Sequence, residues 1–306
     1  MTKRTSYLLG IALTIIIGMF LNWFLCCSTT ESVTETPPKI VEETETVVTR
    51  NPLEIKTTEG ELIADAAYNF NFNFSGFPII NPVEKDVEIG IEKLQQYMQK
   101  NPNYDIDITG YYSDKETNNS AFPNLGIARA TSIKNYLVTK GIPSSVLNTK
   151  GELKDDLLQN GNTIIGPLSI TLAEKNVEET SNLEEKLEAM AKQIKADPLI
   201  LYFNTGASEI NLNESQRSKI ALISSYLDKK EGAICIVTGH TDDTGNRQKN
   251  IELGQQRADF IKIYLVNNGI PESKINANSE GPDAPIASNI TEEGRAKNRR
   301  TEVTIN

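Results

Sequence analysis

The sequence contains little histidine and little cysteine, and this scarcity excludes several kinds of site. Among 306 residues there are one histidine and three cysteines. A zinc centre needs three or four ligands, which are mostly His and Cys side chains, so no zinc site is expected. Cys26 and Cys27 are neighbours and Cys235 stands alone in the segment AICIVTG, so no disulfide framework is indicated. We expect Cys235 to be a small buried side chain on a strand.

Basic residues are also in short supply. The chain has 31 Lys and Arg residues against 41 Asp and Glu residues, which gives a formal net charge of −10. Most of the negative charge falls in residues 28–197, and no segment forms a basic platform. Because nucleic-acid binding depends on neutralising phosphates with Lys and Arg, the sequence predicts no nucleic-acid partner.

A long uncharged apolar run stands at the N-terminus. Residues 7–25 contain no charged side chain, follow Lys3 and Arg4, and include Trp23 near the far end. About 20 apolar residues span a bilayer core, whereas the apolar part of a signal peptide has about 7–15. Cations on the cytoplasmic side and Trp at the interface also fit a membrane helix. We therefore predict that residues 1–27 form a single transmembrane anchor and that the rest of the chain lies in the periplasm.

Two alternatives for this segment stay open. A cleaved signal peptide would need a small-residue cleavage site, and no such site follows the apolar run. Lipidation at Cys26 or Cys27, as in an outer-membrane lipoprotein, is disfavoured by the segment WFLC, which has bulky side chains where lipoprotein signals have small ones. All three possibilities export the remainder of the chain, so each of them predicts a cell-envelope protein.

The segment after the anchor has the composition of a tether. Residues 28–60 are rich in Thr, Glu and Pro and show no apolar period, and such a composition buries too little apolar surface to order itself. As a random coil this segment would span roughly 30 Å on average and about 110 Å when taut. We predict a disordered tether that lets the following domains reach away from the membrane.

The remainder of the chain contains an internal duplication. Residues 129–148 align with residues 257–276 without a gap, and 12 of these 20 positions are identical. We therefore predict two related domains, which we call the first segment (residues 61–175) and the second segment (residues 198–306).

A helix is predicted between the two segments, over residues 176–197. Its apolar residues form one stripe at helical spacing: Leu183, Leu187, Met190 and Ile194. A linker helix docked on a domain is favoured over a dimerising helix, because one short stripe falls below the heptad run that a coiled coil requires. Homodimerisation and further envelope partners are left open by the sequence.

Apolar patterns in the second segment predict its fold class. The predicted strands are PLILYF, GAICIVTG, KINANSEG and RRTEVTIN. Helices are predicted over residues 213–229, where Ile220, Ile223 and Leu227 share one face, and before NNGIP. This alternation predicts an α/β fold of two layers (α+β), with helices on one mixed sheet in each of two tandem domains.

The candidate site lies in the segment TGHTDDTGNRQKNIELGQQRA, residues 238–258. His240, Asp242 and Asp243 are too few and too close in sequence for a metal cage, and His240 is expected to be an exposed loop residue. Adjacent aspartates on a glycine-containing loop should be solvated, and no nucleophile motif is present. We therefore predict no metal, no cofactor and no catalytic residue.

A charge clamp fits this segment better. Asp242 is predicted in the loop after a central strand and Arg257 in the following helix, and open α/β sheets bind ligands at such loops. Held close together, the Asp could take an ammonium group while the Arg forks onto a carboxylate. A structural Asp242–Arg257 salt bridge is the alternative, and spacing alone does not choose between the two.

Three motifs within residues 199–306 carry a specific pattern: YFNTGASEIN, the stretch from VTGHTDDTG to NNGIP, and NITEEGRAKNRRTEVTI. They resemble the peptidoglycan-binding domain of the OmpA C-terminal family, which also includes Pal and MotB. The resemblance implies non-covalent binding of diaminopimelate in the stem peptides of peptidoglycan in a Gram-negative envelope. It places Asp242 and Arg257 at the family's binding positions. It implies that four further residues lie at or near the same pocket: Thr241, Asn250, Leu253 and Arg300.

Alternative roles remain for some of these residues. Asn250 could be a helix N-cap, which Asn favours. Arg299 and Arg300, in the motif NRR, could instead form ion pairs with nearby acids.

The first segment departs from the pattern. The position of Asp242 falls on Ser113, although Asp114 is adjacent and Arg129 is retained. The loop gains one residue, and NTIIGPLSITL replaces the NRR ending. Charge-assisted hydrogen bonds are worth roughly 1.5–3 kcal/mol each, and about half of them are lost. We expect the first segment to keep the fold and to bind diaminopimelate weakly or not at all.

Two other functional classes serve as alternatives to a cell-wall anchor. A MotB-like subunit of an ion-driven complex needs an ionisable group in the membrane, and residues 7–25 offer only Asn22. A cell-wall-modifying enzyme would have to use the first segment, where Asp114, Glu116 and the two tyrosines of TGYYS form no recognisable constellation. The sequence thus predicts a binding protein without enzymatic activity.

Overall fold

The computed structural model describes residues 50–175, 182–202 and 211–306. The predicted anchor, residues 1–27, and most of the predicted tether lie outside these ranges. The residues in these ranges belong to one compact unit. Within the described ranges, no helix combines the length and the apolar character needed to cross a bilayer.

The described residues form twelve strands and six α-helices. The strands are β1 (Leu53–Thr57), β2 (Leu62–Ala66), β3 (Asn71–Asn73), β4 (Tyr104–Tyr112), β5 (Leu147–Leu153), β6 (Gln159–Asn160), β7 (Thr163–Ile165), β8 (Leu168–Glu174), β9 (Leu199–Tyr202), β10 (Cys235–His240), β11 (Ile275–Gly281) and β12 (Arg300–Ile305). The helices are α1 (Lys85–Lys100), α2 (Leu125–Thr139), α3 (Leu183–Ala196), α4 (Glu214–Lys229), α5 (Arg247–Asn267) and α6 (Glu292–Asn298).

The second segment contains the predicted strands and helices in the predicted order. Its sheet has the strand order β11-β10-β12-β9, with β10 parallel to β11 and antiparallel to β12. Ile220 and Ile223 of α4 and Ile261 of α5 share a core with Val237 of the central strand. Cys235 is fully buried beside them, as expected, and burial raises the pKa of its thiol to about 12. The mixed α/β architecture predicted for this segment is confirmed.

The first segment repeats the central part of this arrangement. Strand β4 is parallel to β5 and antiparallel to β8, with α2 between β4 and β5, as α5 lies between β10 and β11. The edge differs. Strand β12 pairs antiparallel with β9, whereas β8 pairs in parallel with β1. Strand β3, which precedes α1 as β9 precedes α4, instead joins a small sheet with β7.

Strand β1 overturns part of the tether prediction. It falls within residues 28–60, yet it lies in the sheet between β2 and β8. Leu53, Ile55 and Thr57 are its buried residues, and the first two belong to the core of the first segment. The Thr- and Glu-rich composition conceals the alternation of apolar and polar residues in LEIKT, which is the period of a half-buried strand. The first segment therefore begins before residue 61.

Helix α3 occupies most of the predicted linker. Leu187 and Ile194 on its apolar stripe are buried in the core of the second segment, and Met190 packs against that core. This contact agrees with a linker helix docked on a domain. Residues 176–181 lie outside the described ranges.

The two segments also contact each other through buried polar groups. Lys134 of α2, which is only 2% exposed, forms an ion pair with Asp228 of α4 at 2.5 Å. The backbone N–H of Ala121 donates to Asn268 Oδ1 at 2.7 Å, and Asn135 Nδ2 donates to the carbonyl of Gly269 at 2.8 Å. The segments therefore pack together instead of being separated by a solvated hinge.

Candidate functional site

The site lies where β10 ends and α5 begins. Gly239 of β10 lies against Gly254 of α5, and there is no room between them for a Cβ atom. Gly110 of β4 and Gly126 of α2 make the same close approach in the first segment. This contact holds the helix against the end of the strand, so that Arg257, about one turn further along α5, comes close to the loop after β10.

Asp242 lies in that loop, and its neighbours fix its backbone. Its carbonyl oxygen accepts hydrogen bonds from Thr241 Oγ1 at 2.9 Å and from Asn250 Nδ2 at 3.2 Å. Asn250 Nδ2 also donates to the carbonyl of Thr244 at 3.1 Å, and the N–H of Thr244 donates to Asp242 Oδ1 at 3.0 Å. Thr241 and Asn250 therefore hold the loop that presents the carboxylate.

Asn250 is not the helix N-cap. Asn246 has that role, because its side chain accepts a hydrogen bond from the N–H of Lys249. Asn250 is buried within the first turn of α5, so the N-cap alternative is wrong.

Arg257 reaches the same place from α5. Its Nη1 donates to the carbonyl of His240 at 3.1 Å. The pKa of its guanidinium is lowered, first by burial and second by the positive charge of Arg299, whereas the charge of Asp242 acts in the opposite direction. Asp242, Arg257 and Arg299 are therefore electrostatic neighbours, with one negative and two positive charges.

Arg299 forms ion pairs with two nearby acids, which is the alternative that the sequence left open for it, and one of these acids is Asp242. Arg299 Nη1 lies 2.9 Å from Asp242 Oδ2, and Arg299 Nη2 lies 2.8 Å from Glu292 Oε1. Burial acts to raise the pKa of Asp242, but the hydrogen bonds from Arg299 and Thr244 outweigh it, so this pKa lies below its usual value. Asp242 is thus a half-buried carboxylate whose ionised form is stabilised, and not the solvated residue that the sequence suggested.

Arg300 makes different contacts from those of Arg299. Its guanidinium is buried and donates to the carbonyl of Ala284 at 3.3 and 3.4 Å, with Glu302 at 3.9 Å. It supports the loop between β11 and α6, while its neighbour Arg299 contacts Asp242. Leu253 is 40% exposed on α5, so it offers an apolar surface on the helix that carries Arg257.

His240 corrects a further expectation. It is the last residue of β10 and is 3% exposed, so it is not an exposed loop residue. Burial, together with the charge of Arg300, lowers the pKa of its imidazole to about 4. Within the described ranges no group of three or more His, Cys, Asp and Glu side chains is placed to hold a metal ion.

The first segment shows what stands at the corresponding place. Arg129, matched to Arg257, donates from Nη1 to the carbonyl of Tyr111 at 2.8 Å, as Arg257 does to His240. Its guanidinium is completely buried and forms an ion pair with Glu116, which is also completely buried. The arginine of the first segment therefore already carries a carboxylate from its own chain.

Comparisons with known proteins match both segments. The OmpA family model matches residues 72–166 and 202–299, together more than half of the chain. The chain is 48% identical over 69 residues to "Probable lipoprotein YiaD" of Escherichia coli (strain K12), which is 22% of this chain and 32% of that protein. It is 39% identical over 107 residues to "Peptidoglycan-binding protein ArfA" of Mycobacterium tuberculosis, which is 35% of this chain and 32% of that protein.

Each of these two relatives is matched over about a third of its own length. Among solved structures, the peptidoglycan-associated lipoprotein from Burkholderia pseudomallei aligns with 35% of this chain and 89% of that chain, at 24% identity and a TM-score of 0.31.

Proposed function

Because the chain belongs to the OmpA family, we propose that it is a non-covalent peptidoglycan-binding protein of the cell envelope. Its second segment binds the diaminopimelate of peptidoglycan stem peptides. The observation that carries this proposal is the convergence of Asp242, Arg257 and Arg299 at the end of β10. The relative ArfA bears the name of a peptidoglycan-binding protein, which agrees with the chemistry of these three side chains.

The charges suit the free end of the diaminopimelate side chain. That end carries an ammonium group and a carboxylate on one carbon. A guanidinium binds a carboxylate with two parallel N–H bonds, which is the role of Arg257. The second guanidinium, that of Arg299, is paired with Asp242 and Glu292, so its role is to hold the Asp242 carboxylate in place.

Asp242 would receive the ammonium group. A carboxylate offers about four acceptor sites on its two oxygens. Asp242 Oδ2 accepts from Arg299 and Oδ1 accepts from the N–H of Thr244, so acceptor capacity remains on both oxygens. The ligand can therefore bind without breaking the Asp242–Arg299 pair.

The remaining residues support or line this pocket. Thr241 and Asn250 fix the backbone of Asp242, and Leu253 offers an apolar wall beside it. Arg300 acts indirectly: it donates to the carbonyl of Ala284 and so stabilises the loop that leads to α6.

The whole chain then links a membrane to the cell wall. Residues 1–27 act as the anchor and the residues up to about 50 act as the tether. Two tandem OmpA-like domains follow, of which the second holds the wall. Many copies facing a repeating polymer gain avidity, so a modest affinity for each stem peptide is sufficient. No enzymatic step is part of this proposal.

Co-sedimentation with purified cell walls tests this function. The detergent-solubilised full chain should pellet with sacculi that contain diaminopimelate. It should remain in the supernatant with peptidoglycan whose stem peptides carry lysine, because lysine lacks the side-chain carboxylate that Arg257 binds. Equal pelleting with both polymers would rule out recognition of diaminopimelate, and no pelleting with either would rule out peptidoglycan binding.

A further inference from the structure

Glu116 in the first segment is held as a ligand would be held. Its carboxylate accepts from Arg129 Nη1 at 3.1 Å and from Arg129 Nη2. Oε1 also accepts the backbone N–H of Ser75 at 3.0 Å, and Oε2 accepts the backbone N–H of Ser113 at 3.0 Å. Both oxygens are therefore fully supplied with donors, by one forked guanidinium and two backbone amides.

Two of these donors, Arg129 and Ser113, stand at positions that correspond to the site of the second segment. Arg129 matches Arg257, and both arginines donate from Nη1 to the carbonyl of the residue that follows the glycine at the close helix approach. Ser113 matches Asp242. The loop of the second segment has Gly245 where the first has Glu116, so no side-chain carboxylate stands at that position.

We propose that the first segment contains a carboxylate-binding pocket that is permanently filled by its own Glu116. This inference goes beyond the proposed function, because it assigns a second pocket and its occupant. Of the two segments, the second then offers the site for stem peptides, and the first segment is a spacer whose pocket cannot exchange its carboxylate. Emptying the pocket converts it into a receptor for a small free monocarboxylate.

Glu116→Ala empties the pocket by a volume close to that of acetate. The substitution removes one methylene and the carboxylate, which together have the size of acetate. It leaves the Arg129 guanidinium buried without a counter-charge, so the thermal unfolding midpoint of the full chain should fall. Sodium acetate at neutral pH should then raise the midpoint of the variant by about 3–6 °C once its concentration reaches roughly ten times its Kd.

Three controls define the result. Sodium chloride at equal ionic strength should not restore the variant. Acetate should not shift the wild type, in which Glu116 fills the pocket, or Glu116→Gln, in which an amide of similar size fills it. A rise caused equally by chloride, or an equal acetate shift in all three proteins, would contradict the proposal.

If the Glu116→Ala chain is unfolded in chloride alone, its refolding from urea gives the answer. Recovery of folded protein that increases with acetate supports the pocket, and no recovery at molar acetate overturns it. These readouts measure folding and involve no cell wall. Failure here therefore leaves the sacculus experiment unaffected, and failure of sacculus binding leaves this pocket unaffected.

Discussion

Replacing either Asp242 or Arg257 with alanine should lower the affinity of the full chain for diaminopimelate-containing sacculi by about 10- to 100-fold. Each substitution removes the partner of one pole of the ligand, and a charge-assisted hydrogen bond is worth roughly 1.5–3 kcal/mol. Arg257→Lys should fall between the wild type and Arg257→Ala, because lysine keeps the charge but loses the fork. The bound fraction measured against sacculus concentration gives these affinities.

Matched controls lie beside the site. Asp243 is adjacent to Asp242 but exposed, and Arg247 is exposed in the first turn of α5, where it pairs with Asp283. Asp243→Ala and Arg247→Ala should bind like the wild type. If Asp242→Ala and Arg257→Ala also pelleted like the wild type, the charge clamp would be wrong even though the protein binds peptidoglycan.

Asp228→Ala should strongly destabilise the chain, because it breaks a buried ion pair between the two segments. Lys134 is 2% exposed, and its ion pair with Asp228 at 2.5 Å crosses from α2 to α4. Removal of one partner of a buried pair leaves a charge without compensation, which costs about 3–5 kcal/mol. Urea unfolding of the full chain should show this loss as a lower midpoint, and the contact between the segments should weaken with it.

A surface pair of equal length provides the control. Lys219 and Asp197 also lie 2.5 Å apart, but the side chain of Asp197 is 74% exposed. Asp197→Ala should change the free energy of unfolding by less than about 1 kcal/mol, because exposed ion pairs contribute little. An equal loss for Asp197→Ala and Asp228→Ala would mean that burial of the Lys134–Asp228 pair does not matter to stability.

The sequence predicted those elements whose pattern is local. Ile220, Ile223 and Leu227 recur at helical spacing where α4 forms. Ala258, Ile261 and Leu265 do so where α5 forms. Strand β1 escaped prediction because its burial depends on β8, which is far along the chain. A short Thr- and Glu-rich stretch reveals its alternation only when a partner strand is known.

Only part of the site could be predicted, because some of its contacts also join distant parts of the chain. The loop after β10 and the helix after it could be placed from the sequence, so Asp242 and Arg257 could be brought together. Arg299 could not be chosen over Arg300, because Arg299 caps the end of α6 and Arg300 begins β12, and the sequence does not fix where such a boundary falls. His240 was wrongly predicted to be exposed because it is the last residue of β10, and the sequence does not locate the end of a strand to within one residue.

The first segment gives the clearest contrast. The sequence predicts that this segment binds diaminopimelate weakly, because Ser113 stands at the position that corresponds to Asp242. The structure adds an independent cause, because Glu116 neutralises the retained Arg129. An acid in a loop gives no sign in the sequence that it will fold back onto an arginine, so this occupant becomes visible only in three dimensions.

The most direct measurement is a crystal structure of the chain with a stem tripeptide that ends in meso-diaminopimelate. The side-chain carboxylate of the ligand should lie about 3 Å from the Arg257 guanidinium, and its ammonium should lie about 3 Å from an oxygen of Asp242. A tripeptide bound elsewhere, with Asp242 paired to Arg299 and Arg257 untouched, would contradict the account.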